Sequence, residues 1–312
     1  MKTDQRQFTL GQILHGYALA TSARHLSSNT IEGYQRTFDK FTLFIAPETP
    51  FDLITRENIE TFISGIENVT NSTLLHHYTA LAALWTWAIR ERLVSNHVVH
   101  SVTPPKPEQR EIIPFTEAEF KLLVSVVSRS KSYERAGKRK SDHSLGSADR
   151  NRAILLMLLD TGLRASELCK LKLYQVDHRN SRIQVLGKGA LERSVLFSPR
   201  TGQALWRYLS SRPNAAKEDP VFVTSLGRSL DRGQLANLVE TIGHRAGVPN
   251  VHPHRFRHTF AIQYLRNGGD PYTLQKLLGH STLDMVRKYL ALAQIDLDKA
   301  HKRASPVDNW VL

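Results

Sequence analysis

Apolar residues recur at helical spacing along most of the chain. Phe8 to Ala20 reads as a modest amphipathic helix. Ser27, Ser28 and Asn29 offer N-cap oxygens to a second, in which Ile31, Tyr34, Phe38, Phe41 and Ile45 fall three and four residues apart before Pro47 and Pro50 end it. Ile59, Phe62, Ile63 and Ile66 mark a third. Asn71, Ser72 and Thr73 open a fourth that runs through Leu74, Tyr78, Leu81, Leu84, Trp85, Ala88 and Ile89. Four helices with short links predict a small bundle. Its aromatic cluster of Tyr78, Trp85 and Trp87 reads as core rather than as a platform for stacking bases.

A proline-rich stretch, Val102 to Pro107, cannot continue a helix and reads as a linker. The predicted organisation is a helical domain over residues 1–103, a linker over 104–111 and a second domain over 112–312. Thr116 with Glu119 three residues on has the spacing of a capping box, and Phe120, Leu123, Val124 and Val127 form the stripe of the helix behind it. Ser128 to Asp149 is polar and basic, with Lys131, Arg135, Lys138, Arg139 and Lys140, and reads as a mobile loop or solvated insertion. Ala153 to Leu159 predicts a buried helix closed by Gly162. Arg182–Leu186 and Arg193–Phe197 predict two strands joined through Gly187 and Gly189, with a further strand at Val221–Val223. Helices follow over Thr201–Ser211, Arg232–Ala246, Pro253–Asn267, Pro271–Leu278, Thr282–Ala293 and Ile295–Ala304. The fold class is mostly α with a small β-sheet in the second domain.

Composition narrows the partners. The chain of 312 residues has a net charge of +13 and a pI near 9.9, which suggests a polyanionic partner. The charge is uneven: residues 1–103 carry a net −1 and residues 104–312 a net +14, so the second domain must supply most of any phosphate neutralisation. One face of the first domain can still be basic through Arg24, Arg36, Lys40, Arg90 and Arg92. No apolar run is long enough to span a bilayer, and the polar start is not a signal peptide. A single cysteine, Cys169, excludes an internal disulfide, fits a reducing compartment and reads as a small buried hydrophobe. The expectation is a cytoplasmic protein with no membrane partner.

The densest chemistry lies between His252 and Leu290. His254 and Arg257, three apart, share one helix face. Gly279 suits the left-handed residue that ends a helix, which puts His280 in a turn beside that end, and Ser281 or Thr282 can cap the next helix, which carries Tyr289. Upstream, Thr161-Gly162-Leu163-Arg164-Ala165-Ser166-Glu167-Leu168 follows an apolar helical run, and Lys188 stands between Gly187 and Gly189. Taken singly these residues have plainer readings. Tyr289 fits a core tyrosine, Arg164 a surface pair with Glu167, Lys188 a solvated turn and His280 a helix cap. A histidine metal site of His252, His254 and His258 lacks nearby cysteines or carboxylates.

Together and in this order, the pieces resemble the tyrosine recombinase (phage integrase) family. Its pattern is an arginine in TGLR-x-SEL, a lysine on a hairpin, H-x-x-R, LGH and a tyrosine nucleophile, and the likeness spans about Phe8 to Arg303. The resemblance implies a four-helix core-binding domain, and a catalytic domain of the DNA breaking–rejoining type, closing as a clamp on a duplex. It casts Tyr289 as nucleophile, Arg164 and Arg257 as the phosphate clamp, Lys188 as the acid for the leaving 5′ oxygen, His254 as an acid/base group and His280 as a hydrogen-bond donor to the phosphate. Glu167 and His258 would support these from behind; Arg257-His258-Thr259-Phe260 sets the register that selects His254.

The implied reaction is site-specific recombination through a 3′-phosphotyrosyl bond, with neither metal nor ATP and so no cofactor. The implied partners are double-stranded DNA and three further copies, joined through Ile295 to Ala304 and the tail to Leu312. Some features depart from the pattern. Met285 and Val286 stand where many members have threonines, the 128–149 stretch is long, and the chain starts at the first bundle helix without an arm-binding domain. Rival readings are a type IB-like topoisomerase, which relaxes supercoils without exchanging partners, and a non-catalytic DNA-binding regulator, which has no need of a nucleophile.

Overall fold

The periodic stretches fold as helices in the computed structural model, which describes residues 7–23, 26–108, 111–127, 147–186, 192–279 and 282–293, with 301, 305 and 307. The chain divides into two compact units, Met1–Arg110 and Glu111–Leu312. In the first, α1 (Leu10–Ala23), α2 (Ser28–Phe44), α3 (Arg56–Ser64) and α4 (Asn71–Arg90) enclose one apolar core. Ser27, Thr55 and Thr70 cap α2, α3 and α4 by accepting the backbone N–H of Thr30, Asn58 and Thr73. Each cap satisfies an otherwise orphaned donor and contributes about 1 kcal/mol. Phe51 stacks on Trp85 with ring centroids 4.3 Å apart, and Phe41 meets Phe62 edge-on at 4.9 Å. Tyr78, Trp85 and Trp87 are all buried, so this cluster is core and presents no stacking platform.

The second unit runs α5 (Glu117–Val126), α6 (Ala148–Thr161), α7 (Ala165–Lys170), β1 (Val176–Asp177), β2 (Arg182–Leu186), β3 (Glu192–Leu196), α8 (Pro199–Ser210), α9 (Arg232–Ala246), α10 (Pro253–Arg266), α11 (Pro271–Leu278) and α12 (Asp284–Ala293). The strands form an antiparallel sheet in the order β1-β2-β3, with Val185 opposite Arg193. Thr116 and Glu119 make the reciprocal capping box that opens α5. α6 starts five residues before the predicted Ala153, and α12 two after Thr282.

Val221–Val223 is not a strand. Its backbone groups go elsewhere: Val221 N–H donates to Leu171, the Val221 carbonyl accepts from Arg212, and Val223 N–H donates to the Tyr208 hydroxyl. Isolated bridges, Lys172 to Pro220 and Val223 to Ser229, are what remain there of sheet pairing.

Two apolar clusters fill this unit, and α10 serves both. Phe256 lies in the larger with α6, α8 and α9, while Ala261, Ile262 and Leu265 lie in the smaller with Leu274, Leu278, Val286 and Tyr289. Val286 is fully buried in that smaller cluster. No helix among the described residues is long and apolar enough to cross a membrane. Residues 128–146 of the basic stretch, Arg24, the Gly187-Lys188-Gly189 tip, His280, Ser281, and most of the predicted Ile295–Ala304 helix and tail lie outside the described residues.

Candidate active site

Two glycines set the frame. Gly162 ends α6 and Gly279 ends α11, both left-handed, at φ +60° and +63°, where a side chain is strained. A Cβ on Gly162 would also stand 2.5 Å from the Phe260 ring and 2.9 Å from Leu278, so space as well as backbone demands glycine.

A helix leaves its last carbonyls without intrahelical partners. At the end of α11 three consecutive carbonyls are taken by three arginines from three different segments. Arg193 Nε donates to Leu277 O at 2.8 Å, Arg257 Nη2 to Leu278 O at 2.7 Å, and Arg164 Nη2 to Gly279 O at 3.0 Å. Arg257 Nη1 also caps α6, donating to Gly162 O at 2.8 Å. Positive charge at a helix C-terminus is favourable because the carbonyl dipoles point there.

Glu167 supplies a carboxylate to this junction. Arg193 holds it with two parallel bonds of 2.9 and 2.8 Å, and Arg164 donates both from Nη1 at 2.9 Å and from its backbone N–H at 2.8 Å. Burial opposes the charge on Glu167, whose side chain is 7% exposed, but the Arg193 and Arg164 bonds outweigh it and hold the carboxyl below its ordinary range. Two guanidiniums thus bond one carboxylate and a third lies beside them, so among the described residues positive charge outnumbers negative here. Burial first, then the neighbouring Arg164, lower the pKa of Arg257 to about 10 against the opposing pull of Glu167, and it is still charged at neutral pH.

Tyr289 reaches the same place from α12. It is 1% exposed, and its hydroxyl lies 2.8 Å from His258 Nδ1. Burial raises the phenol's pKa, while Arg257 and Arg164 pull it down. Burial, with His254, His252 and Arg257 nearby, lowers His258 to about 4, so its ring is neutral at physiological pH and can accept the phenol's hydrogen bond. His254, one turn earlier on α10, is exposed, its ring centroid 6.3 Å from that of His258.

A basic junction with a phenol beside it is what the sequence pattern implies, and comparison with known proteins decides the family. The model of the phage integrase family matches residues 136–295. This chain belongs to the phage integrase family. A tyrosine recombinase XerC of Corynebacterium efficiens is 30% identical over 283 residues, covering 90% of this chain and 86% of that protein. One of Bacillus pumilus is 30% identical over 295 residues, covering 91% and 92%. The Tn1549 transposon integrase, solved in complex with transposon right end DNA, superposes with a TM-score of 0.75 over 95% of this chain and 99% of that one. At 19% identity that likeness speaks for the fold, a mostly helical one with a small sheet.

Within the phage integrase pattern, the structure brings Arg164, Glu167, Arg257, His258 and Tyr289 together and sets His254 at the exposed rim. Lys188 and His280 lie outside the described residues. The contact to the phenol comes from His258, which the sequence reading placed behind His254. Arg164 and Glu167 are more than a surface pair, since the Glu167 side chain is almost wholly covered and is also held by Arg193. Among the described residues, His252, His254 and His258 form no group that could hold a metal ion. Sequence reasoning missed Arg193. Strand alternation carried the signal: Arg193 has the parity of buried Val195, on the inward side of β3, where an unpaired arginine has no place.

Proposed function

We propose that the chain is a site-specific DNA recombinase that cleaves and rejoins duplex DNA through a 3′-phosphotyrosyl bond on Tyr289. The observation that carries this is the gathering of three arginines at the Leu277–Gly279 carbonyls, more positive than negative charge among the described residues, with a buried phenol alongside. A phosphodiester brings negative charge to these arginines, and two fixed guanidiniums suit its non-bridging oxygens. DNA as the partner is supported by the net +14 of residues 104–312 and by the DNA complex of the Tn1549 integrase.

In the cleavage step the Tyr289 oxygen bonds to phosphorus and the bond from phosphorus to the 5′ oxygen breaks. The phenol's proton passes to His258 Nδ1, and the departing 5′ oxygen takes a proton from Lys188. Arg164 and Arg257, with His280, offset the charge that builds on the phosphate, and His254 serves as an acid/base group at the rim. The phosphotyrosyl link keeps the energy of the broken bond, so rejoining runs the same steps in reverse. Because Tyr289 is buried, α12 has to shift to present it. Residues 1–103 act as the core-binding domain and 112–312 as the catalytic domain, and four copies assemble on two sites through the segment after α12.

Duplexes made from inverted repeats flanking the gene, nicked beside the cleavage position, test the reading. The nick lets the cut strand diffuse away and traps the adduct. Wild type gives a covalent protein–DNA product and Tyr289→Phe gives none; an adduct persisting in the variant reassigns the nucleophile. Exchange of strands between two labelled duplexes, rather than relaxation of supercoils alone, separates a recombinase from a topoisomerase.

A further inference from the structure

Arg193 stands outside the set of residues that the family pattern names, yet it makes as many contacts at the junction as those inside it. Its side chain is 12% exposed. The fork of its two terminal nitrogens lies on both oxygens of Glu167, and its Nε donates to Leu277 O. It grips two things at once: the carboxylate that orients Arg164, and the first of the three carbonyls that the arginines share at the end of α11. Arg193 comes from β3, so the grip ties the sheet to α7 and α11. Gly279 leaves room for it, since a Cβ there would stand 3.2 Å from Arg193 Nη1.

We propose that Arg193 is a positioning residue for strand cleavage: it keeps Glu167 fixed and ionised, so that Arg164 is held in place at the end of α11. The inference rests on the recombinase reading of the same site. Among the described residues, the charged groups that face Glu167 are Arg164 on its own segment, Arg193 from β3 and Arg257 from α10. With Arg193 gone, burial favours the neutral acid at Glu167, and a protonated Glu167 loses the charge-assisted bond that holds Arg164. Arg193 itself turns its fork towards Glu167 rather than towards a phosphate, which is why it positions and does not clamp.

The test compares wild type, Arg193→Lys, Arg193→Gln and Arg193→Gln combined with Glu167→Gln in single-turnover adduct formation on the nicked duplex between pH 5.5 and about 8, beside duplex affinity and melting temperature. Arg193→Gln is expected to slow adduct formation by about 10- to 100-fold, the usual cost of removing a residue that orients a site's own ligands. Duplex affinity stays within about threefold, because no phosphate contact is lost. The rate of Arg193→Gln falls further as the pH is lowered, Arg193→Lys recovers part of the loss, and the double variant shows no added pH dependence.

A carboxyl infrared band that titrates in Arg193→Gln and vanishes in the double variant reports on Glu167 without any reaction. That band therefore still decides the matter if wild type forms no adduct and the recombinase reading fails. A pH-independent loss shared equally by affinity, melting and cleavage in both Arg193→Gln and Arg193→Lys overturns the proposal, as does an unchanged cleavage rate or the absence of the band.

Discussion

Arg255 and Arg257 stand two residues apart on α10 and are both buried, 7% and 4% exposed, but their surroundings differ in charge. Arg255 points to the start of the second unit. It donates to the carbonyls of Ile113, Pro114 and Pro249, pairs with Glu119 at 2.9 Å, and lies over the Phe115 ring at 4.0 Å. One guanidinium meets one carboxylate, and the charge closes. Arg257, on the other side of the helix, bonds the Gly162 and Leu278 carbonyls beside Glu167, which already pairs with Arg164 and Arg193, so among the described residues positive charge outnumbers negative there. Gathering like charges out of water is costly, and an arriving anion relieves that cost. On the proposed function, the balanced site serves the fold and the more positive one serves a ligand.

That contrast can be broken by exchange of roles. Arg257→Ala is expected to cut single-turnover adduct formation by about a thousandfold, the scale of losing a donor aimed at developing charge, with a smaller effect on melting. A comparable rate in that variant would mean that Arg257 is merely a second Arg255. Arg255→Met should do the opposite. It leaves Glu119 and three carbonyls short of a donor and costs about 3 kcal/mol in a denaturant melt, while the protein that remains folded forms adduct at the wild-type rate.

Glu167→Gln sharpens the point from the acidic side. Removing the site's carboxylate raises its positive excess, so duplex affinity rises by a few-fold and cleavage slows by about tenfold as Arg164 loses its anchor. The smallest effect concerns pH. His258 is neutral in the folded state down to about 4 and ordinarily titrates near 6.5, so the unfolded chain binds the extra proton first. Stability from this group is complete above about 6.5 and is lost as pH falls towards 4. His258→Asn should flatten that part of a pH–melting curve.

Local signals in the chain were readable wherever the chemistry was local. The Thr116–Glu119 capping box, the helix ends at Gly162 and Gly279, and the helix faces of the first unit all follow from neighbours within four residues. The resemblance supplied Arg164, Arg257 and Tyr289, and the fold brings these three to one junction. What sequence could not give depends on distant partners. Arg193 meets Glu167 across 26 residues and Leu277 across 84. His254 and His258 share a helix face, and the packing of α12, not their spacing, decides which one meets the phenol. Val221–Val223 has the composition of a strand, but Arg212, Tyr208 and Leu171 take the backbone groups that a neighbouring strand would have used.

Charge at the scissile phosphate is the direct test of the unbalanced site. Once the adduct maps the cleaved linkage, that phosphate can be replaced by a methylphosphonate, which has the same connectivity and no negative charge, and adduct formation measured for wild type and Arg257→Ala on both substrates. If Arg257 is there to meet phosphate charge, the variant's thousandfold loss on phosphate shrinks to about tenfold on the neutral linkage. An equal loss on both substrates would contradict the account.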